Sequence, residues 1–205
     1  GSGFAFPGHT EYLAHLSHAA EPSIMMLVGG GLRVVPLTIH EPLAEAIAHV
    51  DAATIETMAY RVTAALRQDF GIAHPRLALA GLNPHAGEDG ALGDEEIRFI
   101  RPAAERLRAA GLAITGPHAP DSMFHAAARA QYDAALCLYH DQALIPLKTL
   151  AFDEGVNVTL GLSIVRTSPD HGTAFDIAGT GTANPASFIA ALHLAHSIAA
   201  IRARR

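Results

Sequence analysis

The sequence predicts an α/β fold in which a sheet is covered by helices on both faces. Short apolar runs rich in β-formers alternate with stretches of helical periodicity along nearly the whole chain. Half of the 205 residues are hydrophobic and 17% are charged, enough apolar material for one substantial core. A third observation bears on function. Polar clusters follow directly on several apolar runs, and sheets of this kind bind ligands outside the carboxyl ends of their strands.

In order, "SIMMLVG" (23–29) and "LRVVPLTI" (32–39) flank Gly29-Gly30-Gly31 and read as a hairpin. In "TIETMAYRVTAALRQDFG", Ile55, Met58, Val62 and Leu66 share one helical face, and Gly71 stops the helix. "RLALAGL" (76–82) is a short strand entering the polar loop "NPHAGEDGALGDEE". A helix then runs to about Ala110, with Pro102 as a break or a first-turn residue. "LAITG" reads as the next strand, "SMFHAAARAQ" as the next helix, and "DAALCLY" as a buried strand leaving the core at "HDQ". A Gly/Thr/Asn-rich loop (167–184) and a helix from about Pro185 to Arg202 complete the chain. There is no internal repeat or low-complexity linker, so composition draws no domain boundary.

The net charge of −6, with no basic stripe apart from the terminal "RARR", argues against a nucleic-acid partner. No apolar run reaches the roughly 18 residues a membrane helix needs. The opening "GSGFAFPGHTE" lacks the basic and apolar regions of a signal peptide. A single cysteine, Cys137, forbids an intrachain disulfide and favours a reducing cytoplasm. Histidine stands out, with 13 copies. Imidazole is the commonest metal ligand and titrates near neutrality, so its abundance raises the expectation of a metal or acid–base site.

His40, His85 and His140 each stand at or just past a strand end. Three imidazoles converging from separate strands would bind a divalent transition metal and leave positions open for substrate. Taken singly, each reads first as a loop or structural residue, and their separation is too long for a local ligand motif. Spacing alone leaves both readings open. In 166–188, Gly172, Gly179 and Gly181 permit close backbone approach, and Asp176 or Asn184 suits ribose hydroxyls. No G-x-G-x-x-G fingerprint is present, which disfavours a Rossmann site. Lys148 is the only lysine; with Arg166, and Asn157 between them, it makes a clamp for an anion such as phosphate. A routine ion pair is the plain alternative for Arg166. In "PGHTE", His9 and Thr10 offer donors to an anion, or Thr10 simply caps a helix.

Together and in this order, "PGHTEYLA", "GLNPHAGEDG", "PDSMFH", "YHDQALIPLK", "GVNVTLGLSIVRTSPDHGTAFDIAG" and "ANPASF" resemble the 4-hydroxythreonine-4-phosphate dehydrogenase family of pyridoxal phosphate (vitamin B6) biosynthesis. The likeness runs from Gly3 to the last helix. "HGTAFDIAGTGTANP" also resembles the adenine-side loop of the isocitrate and isopropylmalate dehydrogenases. The resemblance implies an α/β/α sandwich of the isocitrate/isopropylmalate dehydrogenase type with its active cleft between two domains. It implies oxidation and decarboxylation of 4-phosphohydroxy-L-threonine to 3-amino-2-oxopropyl phosphate, with NAD or NADP and a divalent metal, in a cytoplasmic homodimer. His40, His85 and His140 become ligands of one zinc, cobalt or magnesium ion at the subunit interface, His140 being the ligand expected from the partner.

Substrate binding falls by the same resemblance to His9, Thr10, Lys148, Asn157 and Arg166, and catalysis to Asp121 and Lys148. The cofactor falls to His171, Gly172, Asp176 and Asn184. Relatives acting on a phosphorylated threonate or erythronate, or on a dicarboxylate dihydrodiol, share the histidines and are the alternative. Family members carry a Gly-rich "GDPxGIGPE"-type stretch ahead of the motif that here begins at Pro7. The chain is therefore expected to be a C-terminal portion. Residues 1–160 would form the metal-binding and dimerisation domain, and 161–205 a cofactor loop and helix returning to a first domain that is mostly absent. A metal-binding dimerisation unit, inactive by itself, is the matching alternative for the chain alone.

Overall fold

The structure, a computed structural model, describes residues 9–17, 22–172 and 174–204. Its elements are α1 (His9–Leu16), β1 (Ile24–Gly29), β2 (Leu32–Pro36), α2 (Leu43–His49), α3 (Ala52–Phe70), β3 (Arg76–Ala80), α4 (Arg101–Ala109), β4 (Ala113–His118), α5 (Ala126–Arg129), β5 (Ala134–Cys137), α6 (His140–Ala151), β6 (Val156–Leu160), β7 (Arg166–Pro169) and α7 (Ala186–Arg202). The strands form a seven-stranded sheet in the order β4-β3-β5-β2-β1-β6-β7. The pairs β4–β3, β3–β5 and β5–β2 are parallel, while β2–β1, β1–β6 and β6–β7 are antiparallel. Counting directions across the sheet, β6 points the same way as the four parallel strands, and β1 and β7 run back.

Side-chain alternation sorts the core into two layers. Met26, Val35, Leu77, Leu79, Leu136 and Val158 face a layer formed by α3, α4 and α7. Leu27, Val34, Ala78, Ala80, Ala135 and Cys137 face the other side, where Ala143 and Leu147 of α6 pack. The residues on that second face are mostly small, which lets α6 lie close against the strands. The mixed sheet with helices on both faces is the predicted α/β class.

Local signals explain the elements read directly from sequence. The β1–β2 register pairs Gly29 with Leu32, leaving Gly30 and Gly31 as a two-residue turn. Both have positive φ, 55° and 75°, as a type I′ hairpin turn requires. Asp51 caps α3 by accepting a hydrogen bond from the Thr54 amide at 2.7 Å. Gly71, at φ 67°, ends that helix in the left-handed conformation. The end of α7 is fastened back to α3, where Arg202 Nε donates to the buried Asp69 carboxylate at 2.7 Å.

Three segments differ from the expectation. The helix expected over "SMFHAAARAQ" shrinks to the four residues of α5, preceded by a 3-10 turn at Pro120–Ser122. His125 caps α5 through its own side chain, so the residues before it stay outside the helix. The "YHDQ" stretch is not a turn out of a strand: His140 opens the twelve-residue α6, which continues through Pro146. The region read as loop from 167 contains β7, a strand without an apolar face whose residues are all half-buried.

Candidate functional site

In the sheet, β3, β5 and β2 are neighbours and run in parallel, so their carboxyl ends share one edge. Thr38 and His40 follow β2, Tyr139 and His140 follow β5, and Asn83 to His85 follow β3. β4, parallel to β3, delivers Asp121 to the same edge. A chain of buried bonds holds these ends together. Thr38 Oγ1 donates to the Leu138 carbonyl at 3.1 Å. The Leu138 amide donates to Gln142 Oε1 at 2.7 Å, and Gln142 Nε2 donates to the Gly81 carbonyl at 2.8 Å. The Gly81 amide in turn donates to the His118 carbonyl at 2.7 Å. Four strand ends are thereby stitched into one platform.

Two of the three histidines meet on it. The His40 and His140 rings lie 5.8 Å apart, centroid to centroid, and line a cavity of about 480 Å³ with Thr38, Glu41, Tyr139 and Asp141. His140 Nδ1 is 2.6 Å from Asp141 Oδ1. A carboxylate acceptor there makes Nδ1 the protonated nitrogen and leaves the Nε2 lone pair for an electrophile, the pattern seen behind metal-bound imidazoles. His85 stands apart, lining an adjoining cavity of about 320 Å³ with Asn83, Asp121 and Tyr139. Tyr139 is the wall common to both cavities. Among the described residues, no three His, Cys, Asp or Glu side chains group tightly enough to hold a metal.

The residues expected at the anion fall on the α6 side of the sheet. Cross-strand partners share a face, and the register pairs Leu27 with Asn157, Asn157 with Ser168, and Thr159 with Arg166. Since Leu27 packs against the α6 layer, Asn157, Thr159 and Arg166 lie on that side too. Arg166 opens β7 beside the end of β6, at the edge that carries the histidines. Its Nη1 donates to Thr159 Oγ1 at 3.0 Å, and burial pulls the guanidinium pKa below its ordinary value. The group nevertheless stays cationic, because an arginine has no accessible neutral form near neutral pH.

Lys148 follows His140 by two turns of α6. Its Nζ donates to the Asp170 carbonyl at 2.8 Å and lies 3.2 Å from Asp170 Oδ2. The structure therefore brings Lys148, Asn157 and Arg166 to one side of the sheet, with the lysine held on Asp170 and the arginine on Thr159. The side chains of His9 and Thr10, which open α1, lie outside the described residues.

His171, Gly172 and Asn184 line a third cavity, of about 630 Å³, with Phe152, Asp153 and Ser187. Asp176 sits in the 3-10 turn Phe175–Ile177, whose Ile177 lines the same cavity. Both ends of the Asn184 amide are held: Nδ2 donates to Asp153 at 3.2 Å and Oδ1 accepts the Ala186 amide at 3.0 Å, at the start of α7. Ser187 Oγ receives the Asp170 amide at 3.2 Å, so the residue anchoring Lys148 also touches the cavity wall.

Thr38, Gln142 and Glu96 were not among the residues expected at the site. Thr38 and Gln142 stitch the strand ends, and Glu96 is buried beneath the His85 turn. The signal for Gln142 and Glu96 lies in their position: a polar residue inside or beside an apolar run must find buried partners.

Comparison with known proteins matches residues 1–195 to the family described as pyridoxal phosphate biosynthetic protein PdxA. The chain is 63% identical over 207 residues to the 4-hydroxythreonine-4-phosphate dehydrogenase of Maricaulis maris (strain MCS10), covering 98% of this chain and 61% of that protein. Among solved structures, the 4-hydroxythreonine-4-phosphate dehydrogenase of Klebsiella pneumoniae superposes with a TM-score of 0.82 at 44% identity, covering 97% of this chain and 59% of that one. A terephthalate 1,2-cis-dihydrodiol dehydrogenase from Burkholderia xenovorans LB400 reaches a TM-score of 0.74 at 36% identity, over 93% of this chain and 60% of its own. The chain thus spans about three-fifths of the length of the relatives it matches. With the family match running over nearly all of the chain and the same architecture found in its solved relatives, this chain belongs to the PdxA family.

Proposed function

We propose that this chain forms the metal- and substrate-binding part of a cytoplasmic, homodimeric dehydrogenase that oxidises and decarboxylates 4-phosphohydroxy-L-threonine to 3-amino-2-oxopropyl phosphate. The observation that carries the proposal is the pairing of His40 with His140 at the carboxyl edge, with His140 Nδ1 committed to Asp141. Two adjacent imidazoles, one of them oriented for Nε2 ligation, fit a divalent metal such as zinc, cobalt or magnesium, with zinc and cobalt the better match to nitrogen donors. In this reading His40, His85 and His140 hold the ion, which supplies Lewis-acid polarisation of the substrate hydroxyl, while the His171–Asn184 region holds NAD or NADP, the hydride acceptor.

The positions of the other side chains support the remaining roles. Asp141 keeps the proton on His140 Nδ1. Arg166 presents its planar fork to the substrate's phosphate or carboxylate, with Asn157 on the same face. Lys148 adds a second cation, oriented by Asp170. Asp121, which shares a cavity with His85, holds the proton leaving the substrate hydroxyl. His9 and Thr10 join the substrate set on the family resemblance. The family resemblance also implies a second copy of the chain at the site, with one of the three ligands supplied across the subunit interface. The division at residue 160 belongs to the same reading, with the cofactor loop and α7 returning to a domain built mostly by other residues.

The likeness to the terephthalate dihydrodiol dehydrogenase structure is the ground for a second reading, oxidation of a cyclic diol or another hydroxy acid on the same histidines. The two separate in one assay. The protein at its full natural length, given NAD and a divalent metal, is expected to form NADH from 4-phosphohydroxy-L-threonine. NADH from a phosphorylated threonate or erythronate, or from a dicarboxylate dihydrodiol, in its place would establish the second reading. NADH from none of them would overturn both.

A further inference from the structure

Residues 85–89, which carry His85, have a backbone that L-amino acids avoid. Their φ angles are 53°, 52°, 80°, 44° and 53°, and only Gly87 among them is a glycine. His85, Ala86, Glu88 and Asp89 each bear the left-handed penalty of a Cβ crowding the carbonyl. Such a run persists only where its surroundings over-determine it. Closures at the ends of the turn run from the Ala86 amide to the Asn83 carbonyl at 3.0 Å, from the Ala91 amide to the Glu88 carbonyl at 3.2 Å and from the Leu92 amide to the Gly87 carbonyl at 3.1 Å, and Asp89 pairs with Arg101 at 3.4 Å.

A buried carboxylate holds the residues that lead into the turn. Glu96 is 1% exposed. Its Oε1 accepts the backbone amides of Leu82 at 2.7 Å and Asn83 at 2.8 Å, and its Oε2 accepts Asn83 Nδ2 at 2.8 Å. Glu95 Oε2 accepts the same side-chain amide at 2.7 Å. The glycines around this cluster leave room for it. A Cβ on Gly87 would stand 2.7 Å from Glu96 Oε2, and one on Gly93 would stand 2.5 Å from Asn83 Nδ2. Glu96 also opens a π-helical turn, Glu96–Ile100, that runs into α4 and the core through Ile100 and Ala103. The carboxylate thus ties a strained turn to a rigid element. Both its oxygens face N–H donors, so a glutamine there would point an amide N–H at one of them.

We infer that Glu96 is the positioning residue for His85, its buried carboxylate fixing the left-handed turn so that the imidazole is held ready as a ligand. The inference rests on the reading of His85 as a metal ligand. It places the energetics of metal binding partly in a residue that touches neither metal nor substrate.

The test is Co²⁺ titration of the full natural-length protein, followed by its ligand-field absorption, together with amide hydrogen exchange of residues 82–93 in the metal-free protein. Glu96→Gln is expected to weaken Co²⁺ binding by about 10–100-fold, the usual effect of removing an outer-shell partner. It is expected to raise exchange in 82–93 while the far-ultraviolet circular dichroism stays that of the wild type. Glu95→Gln, on the more exposed carboxylate of the pair, is expected to weaken binding by a smaller factor without threatening the fold. Wild-type Co²⁺ affinity in Glu96→Gln, with His85→Ala losing it, would overturn the inference and leave the metal reading standing. Wild-type affinity in His85→Ala would overturn the metal reading and the inference with it. Should Glu96→Gln fail to fold, wild-type affinity and exchange in Asn83→Ala, which removes the side-chain amide held by Glu96 Oε2, would overturn the inference.

Discussion

The His40 and His140 rings lie 5.8 Å apart, although one follows β2 and the other opens α6, far along the chain. The sheet order produces this meeting. β2 and β5 are hydrogen-bonded parallel neighbours, with Val34 opposite Ala135 and Pro36 opposite Cys137. Two polar residues placed just past the ends of adjacent parallel strands must emerge side by side. Asp141 then fixes one of the two rings through its Nδ1.

Gln142 is the joint of this platform, and its loss should be felt in stability before chemistry. Replacing it with leucine leaves the Leu138 amide and the Gly81 carbonyl without buried partners. Each unsatisfied group costs about 1–3 kcal/mol, so Gln142→Leu is expected to lose roughly 2–4 kcal/mol. Urea unfolding should show a lowered midpoint with an unchanged slope. A loss under about 1 kcal/mol would mean that the strand ends hold together without it.

Arg166 is expected to act in binding more than in the chemical step. Its guanidinium is half-buried, and the hydrogen bond recorded for it goes to the Thr159 hydroxyl, which leaves most of its donor fork for an anion. Charge-assisted bonds of this kind contribute about 1.5–3 kcal/mol, so Arg166→Ala should raise KM for the phosphorylated substrate roughly 10–100-fold with a smaller change in kcat. Arg166→Lys should recover only part of the loss, since an ammonium cannot reproduce the fork. Steady-state kinetics on the natural-length protein decide it, and an unchanged KM in Arg166→Ala would remove the residue from the substrate site.

Asp51 gives the fold a defined acid sensitivity. The Thr54 backbone amide, then the Thr54 hydroxyl, hold its carboxyl below the ordinary aspartate value. A depressed carboxylate stabilises the folded state above its unfolded pKa of about 3.9, and that contribution is lost as pH falls through the lower folded value. Asp51→Ala is therefore expected to cost about 1 kcal/mol at neutral pH, and the gap from wild type should narrow below about pH 4. Asp51→Asn should keep most of the cap and lose the pH dependence. Parallel acid titrations of thermal stability check both, and a gap that widens on acidification would contradict the capping assignment.

The same physical signals account for what sequence made visible. The hairpin was legible because Gly30 and Gly31 supply both positive φ angles, and α3 because Asp51 and Gly71 mark its ends. Apolar runs ending in polar residues located His40, His85 and His140 at strand ends. α6 was obscured by Pro146, which ordinarily breaks a helix, and β7 by its polar alternation. The left-handed turn at 85–89 was invisible because Ala86, Glu88 and Asp89 carry no strong preference for that conformation. Gln142 was missed because its partner Gly81 is set by strand order, which joins residues distant in sequence, and Glu96 because its contacts with Leu82 and Asn83 depend on the fold-back of the 82–96 loop.

The central claim is that these three strand-end histidines form one ligand set, and X-ray absorption at the cobalt edge tests it most directly. The natural-length protein loaded with Co²⁺ should show three imidazole nitrogens in the metal shell. His40→Ala, His85→Ala and His140→Ala should each show fewer and bind the ion more weakly than the roughly 10–100-fold loss expected of outer-shell changes. A shell that keeps three imidazoles in any one of these variants would contradict the account.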